Sequence, residues 1–151
     1  AQARNLWHIR ESITLAQAEE GLNIKHDVSI PISAIPEFVR VTDAELAARI
    51  PGARFVDFGH LGDGNLHYNV QSPENQDHRE FQRLYEDQVN EIVYQSVRRF
   101  GGSISAEHGV GELKVDRLPD YKDPVAIEMM RRLKRAFDPH NTLNPGRVVR
   151  A

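Results

Sequence analysis

Apolar and polar side chains alternate from Leu22 to Ile30. Leu22, Ile24, His26, Val28 and Ile30 fall on one side, and Asn23, Lys25, Asp27 and Ser29 on the other. A period of two predicts a strand with one apolar face, closed by Pro31. Before it, Leu6, Ile9, Ile13 and Gln17 recur at helical spacing, which predicts a helix over about 3–20 that stops at Gly21. A second helical stretch covers about 33–49. It has Pro36 in its first turn or a break at Val41-Thr42-Asp43, and Pro51-Gly52 ends it. Residues 53–60 and 64–71 read as two strands around Gly62-Asp63-Gly64, a hairpin signal. A long helix over about 77–100 carries Phe81, Tyr85, Gln88, Ile92 and Val97 and stops at Gly101-Gly102. A short strand over 103–106, a glycine-rich loop and a short helix near 112–117 follow. Asp123-Pro124 opens a last helix holding Ile127, Met130, Leu133 and Phe137, and Asp138-Pro139 ends it.

From residue 22 onward the order is β-α-β-β-α-β. That order predicts an α+β, ferredoxin-like fold: an antiparallel sheet with helices mainly on one face, plus extra terminal helices. The 151 residues suffice for one domain. With 40% hydrophobic and 27% charged residues, the chain has the balance of a soluble globular protein. A net charge of −3 argues against a nucleic-acid partner. The basic run Arg131, Arg132, Lys134, Arg135 reads as a solvated helix face. No cysteine is present, so disulfides and thiolate metal sites are excluded, and any metal has to use His, Asp or Glu. Lack of disulfides fits a reducing compartment, the cytoplasm or, in a eukaryote, the mitochondrial matrix. No stretch reaches the apolar length of a transmembrane helix, and no signal peptide is visible. The chain starts Ala1-Gln2-Ala3 and runs straight into a helical pattern, so the expectation is a cut made inside a longer protein.

The densest chemistry lies in Gly59-His60-Leu61-Gly62-Asp63-Gly64-Asn65-Leu66-His67. With Asp63-Gly64 as a two-residue loop, His60 faces His67. Opposed residues have Cβ atoms about 4.5–5.5 Å apart on one side of the sheet, which lets two imidazoles converge on one cation. Asn65, His67 and Asn69 share that side, and Leu66, Tyr68 and Val70 face the core. Simple alternation also puts Val56 and Phe58 on the histidine side and points Asp57 at the core. Either both faces are covered, or a bulge near Gly59 resets the alternation.

The second cluster is Ser105-Ala106-Glu107-His108-Gly109-Val110-Gly111. Glu107 would complete a two-His, one-carboxylate set suited to zinc with open positions, or to iron or manganese. His108, an imidazole beside that cation, is suited to accept a proton. Arg10 and Thr14, four apart on the first helix, and Lys25 on the polar side of the next strand form a trio able to converge on a carboxylate. Read from the residues alone, two functions stay open. One is a stand-alone metalloenzyme, a hydrolase or iron oxygenase. The other is a non-catalytic ferredoxin-like binding module whose histidines are structural.

The stretches IRESIT (9–14), KHDVSIP (25–31), GHLGDGNLHYNV (59–70), SAEHGVG (105–111) and LNPGRVV (143–149) resemble, in this order, the C-terminal domain of FAD-linked oxidases. That family includes D-2-hydroxyglutarate dehydrogenase, D-lactate dehydrogenase and the flavin subunit of glycolate oxidase. The tail departs slightly, with Arg147 where lysine is commoner. The resemblance implies oxidation of a 2-hydroxy acid, 2-hydroxyglutarate- or lactate-like, to the 2-oxo acid, with hydride transfer to FAD. It implies His60, His67 and Glu107 as ligands of a divalent cation, zinc foremost, and His108 as the base. It further implies Asn69 as a substrate contact, Arg10, Thr14 and Lys25 as holders of a distal carboxylate, and Asn144 as a contact to the flavin or its domain. No G-x-G-x-x-G follows a strand. FAD is therefore expected on an N-terminal domain of the same polypeptide, and residues 1–151 alone are not expected to turn over substrate. The electron acceptor is not identified by any motif. Self-association into a homo-oligomer is expected where the absent domain leaves an apolar cleft open.

Overall fold

The computed structural model describes residues 1–150. The chain forms α1 (Gln2–Glu19), β1 (Asn23–Ser29), α2 (Ile35–Arg49), β2 (Arg54–Phe58), β3 (Asn65–Gln71), α3 (His78–Arg99), α4 (Leu118–Tyr121) and α5 (Pro124–Phe137). The strands pair in the order β1-β3-β2, and β3 is antiparallel to both neighbours. An antiparallel bridge between Ser29 and Ser103 marks a fourth position outside β1. The resulting order, fourth position-β1-β3-β2, is the split β-α-β arrangement of the expected ferredoxin-like α+β fold.

That fourth position holds a single bridge rather than the strand expected over 103–106. Local bonds take over there: Ser103 Oγ donates to the Ser105 carbonyl (2.9 Å), and the Ser105 amide donates to Ser103 Oγ (3.3 Å). The next three amides then turn inward to Asp27, as described below. The helix expected near 112–117 is instead a series of turns, and helix resumes at Leu118. Lys114 accounts for the turns, since its ammonium is drawn inward to the Ile104 carbonyl (2.6 Å). Two helices, α3 and α5, start at side-chain caps. Asp77 accepts the Arg79 and Glu80 amides at the head of α3, and Asp123 those of Val125 and Ala126 at the head of α5.

One sheet face makes the core. Ile24, His26, Val28, Leu66, Tyr68 and Val70 are at most 5% exposed. They pack under Phe38 of α2 and Tyr94 of α3, with edge-on rings at 5.7 Å (Phe38–Tyr68) and 5.4 Å (His26–Tyr94). Each such apolar side chain contributes about 1.5–3 kcal/mol. His26 is neutral in this layer, because burial pulls its pKa down to about 4. Its ring pairs with the Tyr68 carbonyl and the Asn90 side chain, both at 2.9 Å.

β2 pairs with β3 without a bulge, so Asp57 does face the core, across from Tyr68. The Tyr68 hydroxyl donates to Asp43 (2.6 Å), and one Asp57 oxygen is buried without a partner among the described residues. Burial, reinforced by the charge of Asp43, pushes the Asp57 carboxyl up to about 7.

Two helices leave apolar residues outside. Leu6, Trp7, Ile9 and Leu15 of α1 are 65–69% exposed, and Gln17 is its buried residue. On α5, Val125, Met129, Leu133 and Phe137 are 57–81% exposed. The stripe expected for α5 is half covered, with Ile127 buried in the core and Met130 packed against it while Leu133 and Phe137 stay outside; on α1 Leu6 and Ile9 are uncovered. Among the described residues, no helix is long and apolar enough to cross a membrane.

Asp57 binds its proton more tightly in the folded chain than in the unfolded one. Its contribution is therefore least unfavourable below pH 4, and stability falls as pH rises from about 4 through 7. Asp57→Asn removes that slope and stabilises the domain by about 2 kcal/mol at pH 8. Urea unfolding at pH 5 and pH 8 checks this. An equal effect of the substitution at both values would contradict it.

Candidate active site

The sheet face opposite the core is polar. Across it run two rows of side chains set by strand register. Asp27, His67 and Phe58 form one, and Lys25, Asn69 and Val56 form the next. The 105–114 loop and the end of α1 close over these rows and leave a cavity of about 750 Å³, lined among others by Thr14, Gln17, Lys25, His67, Asn69 and His108.

The hairpin differs from the two-residue loop expected. Phe58, not His60, faces His67, and a 3-10 turn (Leu61–Asp63) fills a longer loop. Gly64 adopts φ +72°, and its carbonyl accepts the Ile30 amide at 2.8 Å, which fixes the wider turn against the end of β1. The register is displaced by two residues. An even displacement keeps every side chain on its expected face, so Asn65, His67 and Asn69 still share the polar side. His60 sits on the loop at the rim of the site, half exposed.

Glu107 lies between the two histidines. One carboxylate oxygen is 2.8 Å from His60 Nδ1, and the other is 3.6 Å from His67 Nε2. Burial lowers the pKa of His67 against the pull of Asp27 and Glu107, so its ring is a neutral lone-pair donor at pH 7. The His108 ring stacks on that of His67, with centroids 5.5 Å apart and planes at 28°.

The glycine-rich turn is held by one buried carboxylate. Asp27, 3% exposed, accepts the amides of Ala106 (3.0 Å), Glu107 (3.0 and 3.2 Å) and His108 (2.9 Å). Burial pushes the Asp27 pKa up, but the backbone N–H groups of His108, Ala106 and Glu107 outweigh it, and the carboxyl titrates below its usual value. Lys114 ties down the far side of the turn through Ile104.

The tightest set of ligand atoms is Asp27, His67 and His108, within 4.8 Å of one another. The oxygens of Asp27, however, are already occupied by four N–H contacts. Among the described residues no backbone amide donates to the Glu107 side chain, so its lone pairs are free. One Glu107 oxygen approaches His60 and the other His67, but among the described residues the ligand atoms of His60, His67 and Glu107 do not all come within 4.8 Å of one another.

Of the carboxylate-holding trio, Thr14 and Lys25 line the cavity and Arg10 does not. Arg10 sits in a separate surface depression with Ala3, Leu6 and Trp7. Asn144 lies outside the cavity, on the tail, in a left-handed conformation (φ 47°). Its neighbour Arg147 does reach the cavity and pairs with Glu112 at 2.5 Å. Sequence reasoning passed over Asp27, Lys114 and Gln17. For Asp27 a signal existed: an acidic residue on the polar side of β1, inside the KHDVSIP stretch.

Residues 1–148 match the family described as FAD linked oxidases, C-terminal domain. A protein named D-2-hydroxyglutarate dehydrogenase from Xanthomonas citri is 45% identical over 148 residues, covering 98% of this chain and 31% of that protein. Another of that name from Stutzerimonas stutzeri is 39% identical over 150 residues, covering 99% and 32%. A Bos taurus protein named D-2-hydroxyglutarate dehydrogenase, mitochondrial, is 39% identical over 146 residues, covering 95% and 25%. The chain thus spans about a third or less of the length of these curated relatives.

Asp27→Asn turns an acceptor into an amide that points its own N–H at backbone donors. It costs the domain at least about 2 kcal/mol. Amide hydrogen exchange at Ala106, Glu107 and His108 is expected to accelerate well beyond the change at Val89 or Val93 in the core. Uniform acceleration across the chain would show that Asp27 supports the whole fold rather than this turn.

Proposed function

Because the chain belongs to the FAD-linked oxidases as their C-terminal domain, we propose that it is the substrate- and metal-binding part of a longer flavoenzyme that oxidises a D-2-hydroxy acid to the 2-oxo acid. The names of the relatives and the fraction of their length that the chain spans support this reading. The uncovered apolar residues of α1 and α5 support it too, as surface for the FAD-binding remainder of the polypeptide. The compartment is the cytoplasm, or the mitochondrial matrix in a eukaryote.

The observation that carries the proposal is Glu107 seated between His60 and His67 on a turn that Asp27 holds in place. His60, His67 and Glu107 are the residues to hold a divalent cation, zinc first and manganese or iron as alternatives. Such a cation supplies Lewis acidity that lowers the pKa of an α-hydroxyl. FAD supplies the hydride acceptor. The chain's own groups do the rest. His108 accepts the hydroxyl proton at its ring, as the hydride leaves the α-carbon and the C–O bond becomes a carbonyl. Its backbone is fixed by Asp27, so the base stays beside His67. Asn69, Thr14 and Lys25 orient the substrate along the cavity, and Arg10 stands one turn further along α1. Asn144 and the tail face the flavin.

The full-length polypeptide is expected to be yellow, to carry one cation per chain by elemental analysis, and to reduce an artificial electron acceptor with a D-2-hydroxy acid. His67→Ala should lose the cation and the activity together. His108→Gln should keep the cation while kcat falls roughly 10²- to 10⁴-fold. A colourless full-length protein, or turnover by residues 1–151 with metal and no flavin, would contradict the proposal.

A further inference from the structure

The cavity wall from Gly109 to Lys114 is built of turns. Its two ends are anchored. Asp27 holds the amides of Ala106, Glu107 and His108, and Lys114 donates to the Ile104 carbonyl. Between these anchors, the tip of the wall is tied to residues 147–150. The Val148 amide donates to the Gly111 carbonyl (3.0 Å), and Arg147 Nη1 pairs with Glu112 (2.5 Å). Apolar packing does not hold the tip, since Leu113 is 92% exposed. Gly111, at φ +55°, adds no stiffness of its own.

The segment that makes these contacts is strained. Val148 stands at φ 62°, where a β-branched side chain is a rare occupant. The Val149 amide donates back to the Arg147 carbonyl (2.6 Å), so the three residues close a γ-turn in its uncommon, left-handed form. Such a conformation persists only where its surroundings over-determine it. Here they do so on both sides of Val148. Before it stands the Arg147–Glu112 pair. After it, Arg150 puts Nε and Nη2 on the two oxygens of Asp116 at 2.8 Å each. That two-pronged geometry is the one in which an exposed ion pair counts. Arg131 Nε donates to the Arg150 carbonyl (3.3 Å). Val149 is 8% exposed and shares a small depression with Val115, Leu118 and Ile127.

We infer that Arg147–Arg150 is a positioning strap. It holds the Gly111–Glu112 tip over the ligand space and so sets how tightly the substrate is enclosed. The inference rests on the 2-hydroxy acid reading of this cavity and adds a group of residues that act on it through the wall. Glu107 and His108 are held by Asp27 and not by the strap. The strap therefore governs substrate binding and leaves the reacting groups in place.

The test uses the full-length polypeptide with three variants. Val148→Pro removes the amide donor and forbids a positive φ. Val148→Gly keeps the donor and relieves the strain. Arg150→Met removes the fork on Asp116 at an exposed position, where folding is not at risk. Hydrogen exchange is followed at Gly111, Glu112 and Leu113, and steady-state kinetics with D-2-hydroxyglutarate and an artificial electron acceptor. Val148→Pro should raise KM roughly 5- to 30-fold and Arg150→Met roughly 2- to 5-fold, with kcat within about threefold in both. Exchange at the tip should accelerate in both, while Ala106, Glu107 and His108 keep their protection. Val148→Gly should match the wild type. Equal effects of the proline and glycine variants, uniform acceleration across the chain, or a fall in kcat at constant KM would each overturn the strap. So would an unchanged Arg150→Met, or a rise in KM confined to Arg147→Met, which would make Arg147 a direct substrate contact. A wild-type protein that oxidises no D-2-hydroxy acid would remove the site reading, and the exchange pattern would still decide whether the strap holds the wall.

Discussion

A single buried carboxylate organises the polar face of this domain's sheet. Asp27 sits in the middle of β1 on the polar sheet face, and its two oxygens collect the amides of three consecutive residues about eighty positions later in the chain. Isolating a charge from water is costly, and it is tolerated here because backbone dipoles replace the lost solvation. The geometry that follows is restrictive. Three successive N–H groups can converge on one acceptor only if the backbone curls. That curl ends any strand at residue 103 and presents Glu107 and His108 to the sheet. The two histidines then meet a carboxylate whose position they do not themselves determine.

Much of the fold is visible in the periodicity of the sequence. β1 and β3 alternate cleanly because one face is buried under α2 and α3 and the other is lined by polar side chains. The heads of α3 and α5 are marked by Asp77 and Asp123, whose side chains do what their positions suggest. Other features are set by contacts that a local pattern does not contain. The hairpin register depends on Gly64 meeting Ile30, and the lost fourth strand depends on Asp27. The displaced register did little damage to the site, since a two-residue shift preserves the faces. For α1 the stripe Leu6, Ile9, Ile13 is genuine, yet periodicity says only that a stripe is apolar, not what covers it.

The site was legible to the extent that its residues are chemically unusual. Paired histidines near a glycine turn and a Glu-His pair between glycines stand out in any sequence, and the structure brings His60, His67, Glu107 and His108 together. The group that holds the Glu107-His108 turn is an ordinary residue, a strand aspartate, whose role exists only through distant partners. Arg10 shows the opposite case. Helical spacing links it to Thr14, but the cavity admits Thr14 and leaves Arg10 outside. Sharing a helix flank does not ensure sharing a pocket.

If Asp27 sets where Glu107 stands, removing its charge has to weaken a cation site that keeps all of its ligands. Zinc titration of the chain and of its Asp27→Asn variant, followed by calorimetry, tests that most directly. The expected result is one zinc per wild-type chain and an affinity at least about tenfold lower in the variant. Equal affinities would mean that the histidines and Glu107 assemble without the anchored turn, and the account would be wrong at its base.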